Sequence, residues 1–89
     1  MIIILKKKYK EYEIMKTLLD CEKGCIAQIL KLNAKDDLKQ RLISFGIMKG
    51  SIIEVLEYAP RKSTIEVKIG SMRIALRAQE ALLIEVAIV

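Results

Sequence analysis

Three short runs constrain this chain most: SIIEVLEY from residue 51, TIEVKI from 64 and MRIALR from 72. Each alternates its side chains with a period of two, which is the period of a β-strand. In the first, Ile53 and Val55 share one face, with Ile52, Leu56 and Tyr58 on the other beside Glu54. In the second, Ile65, Val67 and Ile69 point inward and Thr64, Glu66 and Lys68 outward. In the third, Met72, Ile74 and Leu76 oppose Arg73, Ala75 and Arg77. The connections APRKS and GS are short, hairpin-like links. Antiparallel neighbours follow.

Upstream, Glu22-Lys23-Gly24 reads as a turn and Cys25 to Leu32 as a further strand rich in Ile and Leu. The stretch AKDDLKQRLISFG then changes period. Leu38, Leu42 and Phe45 recur at i, i+4 and i+7, one apolar stripe of a short helix. Asp36 or Asp37 is expected to cap its N-terminus with a carboxylate. Gly46 stands where a left-handed residue ends a helix without a side-chain penalty. Gly50 closes a tight turn through Ile47, Met48 and Lys49 and launches the next strand. These two glycines reverse the chain twice and leave the insert partly displayed, with one of its three members anchored inward. Downstream, AQEA makes one helical turn and LLIEVAIV a closing strand.

A strand, a helix and four more strands with short links describe a mainly β chain. The expected fold is a small SH3-like antiparallel barrel of about five strands, with one short α-helix between the first two. Closure would remove the exposed edges that so many β-branched residues otherwise leave open. The domain is expected over 17–89, after an extension, 1–16, that carries no turn signal.

Composition narrows the function. The chain has 89 residues, a hydrophobic fraction of 53% and 30% charged side chains, enough for one small core and a soluble surface. Its opening apolar run, MIIIL, falls far short of a membrane span and has the wrong order for a secretory signal. A cytoplasmic location is expected. Net charge is +5, of which +3 lies in residues 1–16 and +2 in the remainder. The basicity reads as a solvated tail, and no nucleic acid is expected as a partner. Histidine is absent, so no Ser-His or Cys-His pair can form, and no phosphate-binding GxxxxGK[ST] loop occurs. The chain is expected not to be an enzyme and to carry no cofactor. Cys21 and Cys25 are the only cysteines. They read as free thiols, with zinc shared between two chains as the alternative.

The ordered set Arg41-Leu42, Gly46-Ile47, Gly50, Val55, Ala59-Pro60, Ala75-Leu76-Arg77 and Glu80-Ala81 resembles the FeoA family, over Leu18 to Val86. The resemblance implies an SH3-like fold and an accessory role in bacterial ferrous-iron uptake. The implied partner is the cytosolic part of FeoB, a membrane protein with a GTPase domain that conducts Fe²⁺. Contact with a membrane would then come only through that partner. Three features depart from the pattern: Lys49 stands where proline is common, RKST replaces a glycine-containing link, and Met72 replaces an aromatic.

The partner-binding residues expected are Arg41, Ile47, Met48 and Lys49, with Gly46 and Gly50 as structural turn residues and no metal ligands. Each has a plainer reading. Ile47 suits the core, Arg41 can cover the helix with its stem, and Lys49 can be a turn residue alone. Two other functions fit a small barrel. One is a regulatory domain related to the C-terminal domain of metal-dependent repressors, for which residues 1–16 leave no room for a DNA-binding unit. The other is a small nucleic-acid-binding barrel. LLIEVAIV also suggests an edge strand capable of weak self-association, with Glu85 at an edge position.

Overall fold

The computed structural model describes residues 16–89; most of the N-terminal extension, including Lys6, Lys7, Lys8 and Lys10, lies outside the described residues. Six strands follow: β1 (Lys16–Thr17), β2 (Ile26–Leu32), β3 (Ile52–Tyr58), β4 (Thr64–Ile69), β5 (Met72–Arg77) and β6 (Ile84–Ile88). Helix α1 (Asp36–Ser44) joins β2 to β3, and the single turn α2 (Ala78–Ala81) joins β5 to β6. Two 3-10 turns, Leu18–Asp20 and Pro60–Lys62, complete the chain.

All pairings are antiparallel, in the order β1-β6-β2-β3-β4-β5. Among the described residues the sheet is open in its hydrogen bonding, with β1 and β5 at its two ends, so the mainly β, SH3-like unit has six strands where about five in a closed barrel were expected. The sixth strand is β1, of which the described residues are Lys16 and Thr17, too few to carry a period. The closing strand β6 is not an edge, because β1 and β2 flank it. Glu85 accordingly sits within the sheet, where it accepts a hydrogen bond of 2.7 Å from Asn33 Nδ2.

One core serves the whole sheet. Ala27, Ile29, Ile53, Val55, Ile65, Val67, Ile84 and Val86 are all fully buried in it, with Leu18, Leu42, Ile47 and Ala81. Burying each large aliphatic side chain contributes about 1.5 to 3 kcal/mol, so this cluster outweighs any surface ion pair.

Two bulges reset the faces. In β2 the register passes from Ile29↔Val86 to Lys31↔Glu85, so Leu30 is the extra residue and Leu32 turns back towards the core. In β3 it passes from Val55↔Val67 to Glu57↔Glu66. Leu56 is extra there, and Tyr58 joins the face of Ile53 and Val55 instead of the opposite one. Its hydroxyl donates to the Cys21 carbonyl, and Lys62 Nζ lies 4.7 Å from its ring centre. The turn at Leu18–Asp20 is thereby pinned under β3. Met72, expected inward, is 44% exposed. It sits at the start of an end strand, paired only with Ile69 across the hairpin.

Candidate functional site

The helix that leads to the expected contact corner starts differently from expectation. Lys35 is its N-cap, no side chain bonds the first turn, and Asp36 itself takes φ 53°. The two aspartates thus act on α1 only through their charge at the positive end of the helix dipole. The apolar stripe holds: Leu42 is fully buried, and Leu38 and Phe45 pack half-buried against the core.

The end of α1 is a Schellman motif. Gly46 adopts φ 91°, its N–H donates to the Ile43 carbonyl at 2.9 Å, and the Ile47 N–H donates to the Leu42 carbonyl at 3.0 Å. The hydrophobic pair that accompanies such a cap is Leu42 and Ile47, both fully buried. A β-turn follows at once. The Ser51 N–H donates to the Met48 carbonyl at 3.0 Å, with Gly50 at the third position and φ 92°. Three bonds clamp this turn to β2: Gly50 N–H to the Ile29 carbonyl (2.7 Å), Ile29 N–H to the Ser51 carbonyl (2.9 Å), and Gln28 Nε2 to the Gly50 carbonyl (3.2 Å).

The four expected contact residues separate into three environments. Ile47 is fully buried, so it is the inward anchor of the corner and offers no contact surface. Met48 is 41% exposed and Lys49 is exposed beside it. Together they border a groove of about 510 Å³ between α1 and β2, which Leu30, Lys31, Lys39 and Ile43 also line. Arg41 points elsewhere. Its guanidinium pairs with Glu80 Oε2, while Glu80 Oε1 accepts the Arg77 N–H at 2.9 Å. The Glu80 side chain is only 14% exposed, so this pair fastens α2 to α1 rather than presenting a free cation.

Sequence reasoning missed Leu30, Lys31, Lys39 and Ile43 as lining of this groove. One signal was present. Lys39 and Ile43 lie at i and i+4, so Ile43 is an apolar residue on a helix face away from the buried stripe. The exposure of Leu30 depends on the β2 bulge.

The cysteines are free: Cys21 is buried and Cys25 half-buried. Burial pushes the Cys21 thiol from its ordinary 9.0 up to about 12, and the adjacent Cys25 thiol adds to the effect. Among the described residues, no group of three or more His, Cys, Asp or Glu side chains could hold a metal ion. No helix among them is long and apolar enough to cross a membrane.

A mainly β, six-stranded antiparallel unit with a short helix ahead of its third strand is an SH3-like domain. This chain belongs to the FeoA domain family, which matches residues 16–88. It is 38% identical over 66 residues to a Helicobacter pylori protein named as Fe(2+) transport protein A, covering 73% of this chain and 87% of that one. The solution structure of iron(II) transport protein A from Clostridium thermocellum superposes with a TM-score of 0.79 at 36% identity. That alignment covers 83% of this chain and 46% of the other, so this chain spans about half the length of that relative. A manganese-dependent transcriptional repressor shares the fold alone, with a TM-score of 0.75 at 24% identity over 83% of this chain and 41% of the repressor.

Proposed function

We propose that this chain is a non-enzymatic accessory protein of ferrous-iron uptake. It docks on the cytosolic part of a FeoB-type membrane GTPase and supports or regulates the passage of Fe²⁺. The family match over 16–88 carries the assignment to iron transport. The corner, clamped to β2 by three hydrogen bonds, supports the adaptor role. Here the fold leaves a flexible, polarizable Met48 open at 41% beside Lys49, above a buried anchor. With no histidine in the chain, a Ser-His or Cys-His pair cannot form, and the adaptor reading rests on contact chemistry at the corner. The protein acts at the cytoplasmic face, and its link to the membrane is the partner itself.

Calorimetric titration of the chain with the isolated cytosolic part of its cognate FeoB-type protein tests this reading. Saturable binding is expected, weakened about tenfold or more by Met48→Asp, as for a central apolar contact. Absence of binding heat at two temperatures, up to high micromolar partner, would overturn it.

A further inference from the structure

The groove beside the corner has a composition of its own. Its floor is apolar, made by Leu30 and Ile43, both half-buried, and by the exposed side of Met48. Three lysines rim it: Lys31 from β2, Lys39 from α1 and Lys49 from the turn. No acidic side chain lines it. Among the described residues the ion pairs are Lys23 with Glu57 and Arg41 with Glu80, so none of the three rim lysines is neutralised by one. The carboxylate closest in register to Lys31 is Glu85, and Asn33 engages it at 2.7 Å. Asp36 and Asp37, one turn before Lys39, form no ion pair with it.

We infer that this groove takes a short segment of the partner that is both apolar and acidic. One or two large apolar side chains seat on Leu30, Ile43 and Met48, while carboxylates beside them meet Lys31, Lys39 and Lys49. The inference rests on the partner reading above and specifies its chemistry. Lysine stems extend the apolar walls while their ammonium groups stay hydrated at the rim, where they select for negative charge and speed encounter. The groove is open, with a volume of about 510 Å³, room for one or two large side chains laid along it. Half-buried apolar residues beside exposed lysines suit a peptide segment that carries both apolar and acidic side chains.

The test is fluorescence anisotropy of the labelled full chain against the cytosolic part of the cognate FeoB-type protein. Lys31→Glu, Lys39→Glu and Lys49→Glu are measured singly and combined, with Arg73→Glu on β5 as a control. All four sites are exposed, and circular dichroism verifies that the variants fold. The expected result is a loss of about threefold per lysine, more than tenfold for the triple variant and no loss for the control. Wild-type affinity should also fall severalfold between about 50 and about 300 mM salt. Binding that ignores both salt and the lysine reversals would overturn this inference and leave the partner reading standing. No binding to the fragment, with lysine-dependent binding to phosphatidylglycerol vesicles or to a second copy of the chain, would overturn both.

Discussion

At the scale of single residues, Gly46 and Gly50 carry similar conformations and different surroundings. A Cβ at Gly46 would stand 3.1 Å from Ile69 Cγ2, on a β-branched side chain that is 8% exposed and has little rotamer freedom. A Cβ at Gly50 would meet nothing within 4 Å. Both positions have φ near 90°, so alanine at either costs about 1 to 2 kcal/mol in backbone strain. Gly46→Ala should cost roughly 1 kcal/mol more than Gly50→Ala, because Ile69 must also shift. Urea unfolding of both variants measures the difference, and equal midpoints would contradict the packing described for the α1 terminus.

Cys21 and Tyr58 bear on stability at alkaline pH. Burial raises Cys21 from 9.0 to about 12 and Tyr58 from 10.0 to about 12. The folded chain thus holds protons that the unfolded chain releases. Their contribution is complete below the unfolded values and is lost as pH rises through the folded ones. Urea midpoints should therefore hold to about pH 9 and decline from there towards pH 12. In Cys21→Ala, the pH 7 midpoint should be lower through lost packing, and the alkaline decline shallower. An unchanged alkaline slope in that variant would contradict the burial of the thiol.

At the scale of elements, the corner is a helix cap and a β-turn sharing residues, and Lys49 is its least constrained member. It occupies the second position of the turn, where proline's fixed φ fits. None of the turn's backbone bonds uses its N–H. Lys49→Pro should therefore stabilise the chain by about 0.4 to 1 kcal/mol, chiefly by restricting the unfolded state. The same change removes one rim cation and should weaken partner binding. A variant with raised thermal midpoint and unimpaired affinity would count against a role for Lys49 in contact.

The elements also mark how far the sequence could be read. The period-two runs, the helix stripe and both glycines were legible because each is a local pattern with a local cause. The faces of Leu32 and Tyr58 were not, because a bulge at Leu30 or Leu56 inverts everything after it without altering composition. An apolar residue is acceptable at such a position in either register. The carboxylate cap failed because Lys35, one residue earlier, takes the extended N-cap conformation while Asp36 takes a positive φ, and no local residue pattern marks that.

At the scale of the whole molecule, strand order decided what local pattern could not. LLIEVAIV reads equally well as an edge or a centre, and only its pairing with both β1 and β2 makes it a centre. Among the described residues the ends of the sheet are β1, at Lys16 and Thr17, and β5, with Arg73 and Arg77 exposed on it. Strand order also divided the expected site. Arg41 is drawn towards α2 by Glu80, while Met48 and Lys49 face the β2 groove. The central claim is that partner contact lies on the groove side of the two-glycine corner. The most direct test is amide mapping by NMR of the ¹⁵N-labelled full chain, titrated with the cytosolic part of the cognate FeoB-type protein. Perturbations concentrated on residues 30–32, 39–43 and 48–50 are the expected result. Perturbations concentrated instead along Arg73, Ala75 and Arg77, with the corner silent, would contradict it.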